Sequence, residues 1–266
     1  MYLNLQTAPD TIVKYVDCAQ KNNLNIEIAD FHHPELLNNS KAFSIHKRFV
    51  KKTLKNFKGK ISMHGPFYNM DFTSPDILIQ NVVKKQFKKV FDFAHSINAE
   101  NVVIHSTFNP NIGHESYIKL FIENSVLFLS SFAKSTKYKG NILIENIWDE
   151  TPDYIIEIID RLENENIKNV KFITDIGHIN IFSKISAAEW IFKVRNHCSY
   201  FHFSNNFGKI DEHNDLFNGT VNFESVVKTI MDNIKNPVIT LEIKTDFSYI
   251  EESIEYIQGL VKQYKT

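Results

Sequence analysis

At 266 residues, with 43% hydrophobic and 23% charged residues, the chain is long enough to bury a substantial core in one large α/β domain or two small ones. The 30 lysines and arginines nearly balance the 31 acidic residues, and the formal charge of -1 disfavours a dedicated nucleic-acid coat, although a local basic groove stays open. The two distant cysteines, Cys18 and Cys198, exclude a disulfide framework and a paired-cysteine zinc site.

Cysteine usage and the N-terminal segment bear on location. Two isolated cysteines are typical of a reducing compartment, which predicts a cytoplasmic protein. The segment MYLNLQTAPD has no basic residues before an apolar stretch, and no run approaches the roughly 20 apolar residues that cross a bilayer. We therefore expect no export and no membrane partner, while the sequence leaves the oligomeric state open.

Short β-branched and aromatic runs alternate with longer stretches whose apolar residues recur at helical spacing. Strands are predicted at 2–6, 25–31, 60–65, 101–106, 141–146, 170–176, 199–204 and 237–243. Helices are predicted at 10–22, 40–57, 75–97, 114–135, 152–164, 185–196, 223–234 and 248–264. This alternation predicts a single (β/α)8 TIM barrel with parallel strands, one domain over residues 1–266, because a doubly wound sheet would show fewer units and a glycine-rich turn after its first strand.

The last six predicted strands end in chemically similar residues. The last histidine or acidic residue of each is, in order, His64, His105, Glu145, Asp175, His202 and Glu242. In a closed barrel these strand ends meet at one rim, where reactive groups lie. Three more donors follow in the next loops, namely His178, Asp211 and His213. Imidazole and carboxylate groups without thiolates suit zinc, manganese, iron or cobalt, so we predict at least one divalent metal in the barrel mouth.

Each of these side chains also has a simpler interpretation, as a hydrogen-bonded residue of the core or rim. Glu145 and Glu242 fit it poorly, because each follows an apolar strand, NILI or PVITL, where an unpaired charge is costly. Six other histidines lie away from the strand ends and are assigned no role: His32, His33, His46, His95, His114 and His197.

Seven short motifs lie near the strand ends: ISMHGPF, NVVIHS, ILIEN, FITDIGH, FHFSNN, DEH and ITLEIK. Together they resemble the xylose isomerase-like barrels, which include sugar-phosphate isomerases and epimerases and the endonuclease IV type of apurinic-site nuclease. The most specific part is TDIGH followed by FHFSNNFGKIDEH and NGTVNF. The resemblance implies a one-metal core of Glu145, Asp175, His202 and Glu242. Its nuclease branch implies up to three zinc ions, with the added ligands His64, His105, His178, Asp211 and His213.

Two departures from the family bear on the substrate. Ketohexose epimerases place an arginine shortly after the strand-seven histidine, where this chain has Phe207 and Gly208. Residues 32–45 do not match the loops with which the nucleases penetrate DNA. DNA is therefore the less favoured substrate.

Two mechanisms fit the same residues. In an isomerase or epimerase of a small sugar or sugar phosphate, Glu145 and Glu242 would exchange a proton on opposite faces of a substrate carbon, and His178 would orient a hydroxyl. In a phosphoester hydrolase, two or three metals would be bound, and Asp211 and His213 would secure the third. A non-catalytic sugar- or metal-binding module is a further alternative.

Three loop residues are predicted to contact substrate. Trp148 closely follows Glu145 and is placed to stack on a sugar ring. Phe67 either inserts beside a ligand or packs at the end of its strand. Lys209 lies in the loop after strand seven, whose direction the sequence does not fix.

Overall fold

The computed structural model describes residues 1–7 and 11–264 and contains a closed barrel of parallel strands. The strands are β1 (Tyr2–Gln6), β2 (Asn25–Ile28), β3 (Ile61–His64), β4 (Asn101–His105), β5 (Asn141–Glu145), β6 (Val170–Asp175), β7 (Cys198–Phe203) and β8 (Val238–Leu241). Each strand pairs with the next in the sequence, and β8 pairs with β1 to close the barrel. The predicted (β/α)8 TIM barrel is confirmed.

Helices follow the strands and cover the outside of the barrel. They are α1 (Ile12–Lys21), α2 (Pro34–Asn38), α3 (Ser40–Thr53), α4 (Ile77–Ser96), α5 (Glu115–Ser135), α6 (Asp153–Asn164), α7 (Ile176–Phe182), α8 (Ala187–Val194), α9 (Phe223–Asn233) and α10 (Phe247–Tyr264), with short 3-10 turns at Leu54–Asn56 and Pro110–Ile112. None of the helices in the described part of the chain combines the length and apolar character needed to span a membrane.

The sequence prediction differs from the structure in two kinds of place. The short helices α2 and α7 were not predicted, and β2 and β8 end earlier than predicted, at Ile28 and Leu241. The predicted single domain over 1–266, and the predicted start of the first helix at residue 10, include positions 8–10, 265 and 266, which lie outside the described residues. The single-domain assignment therefore stays a prediction.

Strand alternation divides the apolar residues into two groups. Val103, Leu143 and Ile173 form a small buried cluster of their own, with Tyr200 packed on it, apart from the large core that includes helix residues. Successive side chains of a strand point to opposite faces, so the residue two positions further along points the same way. Two positions after the four members of the small cluster, β4 to β7 carry His105, Glu145, Asp175 and His202. Polar donors therefore lie directly above the apolar layer.

The large core contains a cluster of aromatic rings between α4 and α5. Phe91 is fully buried and makes edge contacts with Phe132 and Tyr138, at centroid distances of 4.9 and 5.4 Å. We expect Phe91→Ala to lower the free energy of unfolding by about 3–5 kcal/mol, because it leaves a cavity that the barrel wall cannot fill. Urea denaturation measures this, with the exposed Phe192→Ala as the control; equal losses in both variants would contradict the packing described.

Candidate metal centre

Four buried side chains, three at or near the ends of β5, β6 and β7 and one directly after β8, meet at the carboxyl end of the barrel. The Nδ1 atom of His202 lies 2.8 Å from Glu145 Oε1, 2.8 Å from Glu242 Oε2 and 3.9 Å from Asp175 Oδ2. One candidate ligand atom from each residue lies within 4.8 Å of the others. We call Glu145, Asp175, His202 and Glu242 the core group.

A second group shares Glu145 with the core group. The other carboxylate oxygen of Glu145, Oε2, lies 3.2 Å from His64 Nε2 and 3.5 Å from His105 Nε2. The candidate ligand atoms of these three residues also lie within 4.8 Å of one another. We call His64, His105 and Glu145 the histidine group. Because each oxygen of Glu145 faces a different group, this carboxylate can bridge two cations.

The remaining three predicted donors lie beside these groups in a looser arrangement. Asp211 Oδ2 is 2.8 Å from His213 Nε2 and 3.3 Å from His178 Nε2. Their ligand atoms do not all meet the 4.8 Å spacing that the other two groups meet within the described residues. His213 has a positive φ of 50°, a backbone conformation that few residues other than glycine adopt and that often occurs at functional sites. The structure thus brings all nine predicted donors into one mouth, while their role as ligands stays a prediction.

Helix α7 begins at the end of β6 and fixes two of these donors. Asp175 caps the helix, because its Oδ1 accepts a 2.6 Å hydrogen bond from the backbone N–H of His178. Gly177 lies between them, where an added Cβ would come within 2.6 Å of Ser204 Oγ. The glycine in TDIGH therefore permits a close approach that a larger residue would block.

The charge of the centre follows from its burial. Burial opposes ionisation of Glu145, but the adjacent His202 holds the pKa of this carboxyl well below its usual range. Burial raises the pKa of Asp175 to about 6. Burial alone would lower the pKa of His178, but the neighbouring Asp175 and Asp211 outweigh it and raise that pKa to about 10. The clustered carboxylates thus require positive charge nearby, which protonated imidazoles or a bound cation can supply.

Two buried carboxylate oxygens that lack hydrogen-bond donors in the described part of the chain show whether the core group fits a divalent metal. Asp175 Oδ2 and Glu242 Oε2 are buried and accept no hydrogen bond from the described residues, since the Nδ1 atom of His202 beside them bonds to Glu145. Leaving a buried acceptor unpaired is costly, and a cation is the natural partner for two such oxygens beside an imidazole. The nitrogen and oxygen donors, with no thiolate, suit zinc, manganese, iron or cobalt. The residues of the core group therefore fit a divalent ion.

Glu27 is a buried residue of the centre that the sequence analysis missed. Both its carboxylate oxygens lie 3.2 Å from His202 Nε2, and Gln6 Nε2 donates a 2.9 Å hydrogen bond to Glu27 Oε1. The sequence feature that indicates Glu27 is an acidic residue in the apolar run NIEI. Glu145 has a comparable feature, because it follows the apolar run NILI. The predicted strand ran to residue 31, so Glu27 was not recognised as lying near a strand end.

Other missed residues shape the walls of the site. The side-chain Oδ1 of Asn146 accepts a 2.8 Å hydrogen bond from the backbone N–H of Asp175. The backbone carbonyl oxygen of Asn146 lies 2.9 Å from His178 Nδ1. His32, which was assigned no role, lines the site cavity and stacks on Phe67 at 4.9 Å. Lys244 lines the same cavity, 3.8 Å from Glu242 Oε1.

The three predicted substrate residues differ in position. Phe67 lines the cavity of about 410 Å³ that contains the centre, and its ring stacks on His105 at 4.7 Å. Trp148 is exposed and lines a larger cavity next to it. Lys209 is exposed and lines neither cavity, so its position gives no support to a substrate contact; Lys244 is the cationic residue at this place.

Comparisons with known proteins agree with this fold. The TTHB071 protein from Thermus thermophilus, from crystals soaked with ZnCl2, aligns with a TM-score of 0.75 and 22% identity over 99% of each chain. A D-tagatose 3-epimerase-like protein aligns with a TM-score of 0.78 and 20% identity, over 100% of this chain and 98% of that chain. An uncharacterised protein of Methanocaldococcus jannaschii is 23% identical over 207 residues, which are 74% of this chain and 69% of that protein. The match of residues 26–260 to the family model shows that the chain belongs to the xylose isomerase-like TIM barrel family.

Proposed function

We propose that the chain is a divalent-metal-dependent isomerase or epimerase that acts on a small sugar or sugar phosphate. The observation that carries the proposal is the approach of two carboxylates, Glu145 from β5 and Glu242 after β8, to one imidazole nitrogen of His202 at 2.8 Å each. Family membership and the fold shared with a D-tagatose 3-epimerase-like protein support sugar chemistry. A metal held by the core group would polarise a carbonyl or hydroxyl oxygen of the substrate and lower the cost of an enediolate-like intermediate.

The chain's own residues would move the proton. Glu145, at the end of β5, and Glu242, directly after β8, approach His202 from different places in the barrel, so one can remove a proton from a substrate carbon while the other returns it to the opposite face. His178, held by Asn146 and Asp211, would orient a substrate hydroxyl. These roles need two buried bases and one fixed imidazole in the same mouth.

Substrate selection must differ from that of the ketohexose epimerases. Phe207 and Gly208 stand where those enzymes place an arginine, and the loop around them is partly exposed. Among the described residues that line the cavity of the centre, Lys244 is the one that carries a lysine or arginine charge. We propose Lys244 as the contact for the phosphate or a hydroxyl of the substrate.

Solvent deuterium tests the proposal. Metal-loaded protein is incubated in D2O with a panel of aldoses, ketoses and their phosphates, and we expect deuterium at the reacting carbon of the product, read by NMR and mass spectrometry. Glu242→Gln, which keeps the side chain's size, should lower the rate of exchange by about 10²- to 10⁴-fold. Glu255→Gln, on the exposed side of α10, is the matched control. Conversion without any deuterium uptake would contradict a two-base reaction that exchanges with solvent.

A second candidate function is the hydrolysis of a phosphoester by two or three metals. The histidine group favours it, because Glu145 offers one oxygen to each of two groups. Bound ions would supply positive charge to the phosphate and lower the cost of ionising a water molecule. The chain's residues would hold the phosphate in line with that water, and His213 and Asp211 would secure the outermost ion.

His213→Ala separates this candidate from the first. If hydrolysis is the function, this variant should lose one bound ion and most of its activity on bis(p-nitrophenyl) phosphate, while His95→Ala, on the distant end of α4, should change neither. Elemental analysis and absorbance measure the two effects. A single tightly bound ion in the unaltered chain would contradict the multi-metal mechanism.

Binding of DNA, a purely binding role and the cytoplasmic location stay as predicted from the sequence. DNA stays the less favoured substrate, since residues 34–38 and 40–53 form helices where the nucleases carry penetrating loops. A purely binding module is a weaker alternative, because several buried carboxylates are costly to retain without chemistry. The cytoplasmic location stays a prediction.

A further inference from the structure

A second cavity, of about 740 Å³, adjoins the cavity of about 410 Å³ that contains the metal centre. The two share the lining residues Phe67, Tyr68, His105, His178 and Asp211, so they are continuous. Small-ligand pockets typically have volumes of about 300–1,000 Å³, so the smaller cavity alone suffices for a small ligand. We call the larger one the lobe. A ligand that fills both must be larger than the part that reacts at the centre.

The lining of the lobe is mainly apolar. Met70, Ile112, Leu120, Phe121 and Ile147 contribute hydrocarbon surface. Neither lysine nor arginine occurs among the residues that line it. Apart from His178, which the lobe shares with the centre and which Asp175 and Asp211 already pair, a phosphate group or a polyanion would find no cationic partner there, whereas an apolar group would lose water-exposed surface on binding.

Aromatic residues make the lobe suited to a flat ring. Tyr68 and Trp148, at its edge, are 45% and 47% exposed, an unusual exposure for such large side chains. Tyr117 and Phe121 form part of the wall. Offset or edge contacts with a bound ring add stabilisation beyond the area that is buried.

Thr107 adds a polar feature to the same surface. This lobe residue has a positive φ of 63°, which is strained for a β-branched residue. Its Oγ1 is buried and has no hydrogen-bond partner among the described residues. Such strain persists only where surrounding contacts impose the conformation, and it often occurs at ligand-binding sites.

We propose that the lobe binds an aromatic ring attached to the sugar, so that the substrate is an aryl-substituted sugar rather than a free monosaccharide. The sugar would lie at the metal centre and the ring against Trp148 and Tyr68, across the shared lining residues. This inference rests on the proposed sugar chemistry, because it extends the ligand from the same site. The ring can be joined through oxygen, as in an aryl glycoside, or through nitrogen, as in a nucleoside. Either linkage locks the anomeric carbon, so the reacting sugar must carry a ketone at another ring carbon, and the proton exchanged is the one beside that ketone.

Paired ligands test the lobe by direct binding. Calorimetry on zinc-loaded protein compares phenyl with methyl β-D-glucopyranoside, and uridine with methyl β-D-ribofuranoside. We expect at least one ring-bearing compound to bind about tenfold more tightly than its ringless partner, and the better pair identifies the linkage. Fluorescence of Trp148 should change on binding, since the other tryptophan, Trp190, is fully buried.

Matched variants locate the effect. Leu120→Asp puts a charge into the lobe and should abolish the ring-dependent gain, whereas Leu127→Asp, two turns later on α5 and 69% exposed, should preserve it. Ile112→Asp adds the same charge from the Pro110–Ile112 turn and serves if α5 does not tolerate the first change.

The outcomes separate this inference from the proposed function. Equal affinities within both pairs, no binding by either ring-bearing compound, or a gain that survives Leu120→Asp and Ile112→Asp would overturn the inference. Deuterium uptake by free sugars without a ring-dependent gain would leave the proposed function standing and overturn the lobe assignment. A ring-dependent gain in a protein that exchanges no deuterium into any sugar would support the lobe and contradict the isomerase or epimerase proposal.

Discussion

Glu145→Gln is expected to remove bound metal from both ligand groups and to lower turnover by about 10²- to 10⁴-fold. One carboxylate oxygen faces His202 and the other faces His64 and His105, at 2.8, 3.2 and 3.5 Å. An amide has the same shape but no negative charge, so neither group keeps its bridging ligand. Elemental analysis after zinc loading measures the loss, together with the rate of deuterium exchange.

Glu242→Gln gives the matched comparison. Glu242 belongs to the core group alone, so this variant should keep an ion in the histidine group if two ions bind. Glu100→Gln, whose partner Lys60 lies on the surface at the other end of the barrel, should keep the full metal content. Full metal content in Glu145→Gln would contradict the shared role assigned to this residue.

Glu27→Gln should weaken metal binding by about 10- to 100-fold without abolishing it. The carboxylate of Glu27 faces His202 Nε2 while Nδ1 faces the core group, so Glu27 sets which imidazole nitrogen carries the proton. A glutamine can still make a hydrogen bond but no longer stabilises that tautomer by charge. Competition with a chelating dye measures the affinity, and this readout does not depend on the substrate.

A structural role alone would give another pattern. If Glu27 merely packed, Glu27→Gln would bind zinc as tightly as the unaltered chain, and its effect would be confined to the free energy of unfolding. Glu27→Asp, which shortens the side chain but keeps the charge, should retain more of the metal affinity than Glu27→Gln. The reverse order would contradict the positioning role.

The strand alternation explains why much of the centre could be predicted. His105, Glu145 and Asp175 each end a strand with a clear apolar pattern, and barrel closure brings those ends together. Glu27 was missed because the run NIEIADF continues past the residue at which β2 ends. Helix α7 was missed because its seven residues, IGHINIF, are too short for a helical period to be recognised.

Loop positions depended on contacts that a local pattern does not contain. His213 and Asp211 were identified as donors in the loop after strand seven and as matches to the nuclease branch, and their placement relies on hydrogen bonds such as that from Lys244 N–H to His213 O at 2.8 Å. Lys209 lies in the same loop but away from the cavities, because the pairing of Asn205 with Asn214 fixes the loop's ends and not its tip. Side-chain direction in such a loop is set by tertiary contacts.

The number of divalent ions held per chain tests the central claim, that barrel closure assembles the buried carboxylates and imidazoles around a cation. The unaltered protein is loaded with zinc or manganese, dialysed and analysed for metal, before and after treatment with a chelator. We predict at least one ion per chain, with activity that falls on chelation and returns when the metal is restored. A chain that retains no ion, and whose activity neither chelation nor added metal changes, would contradict the account.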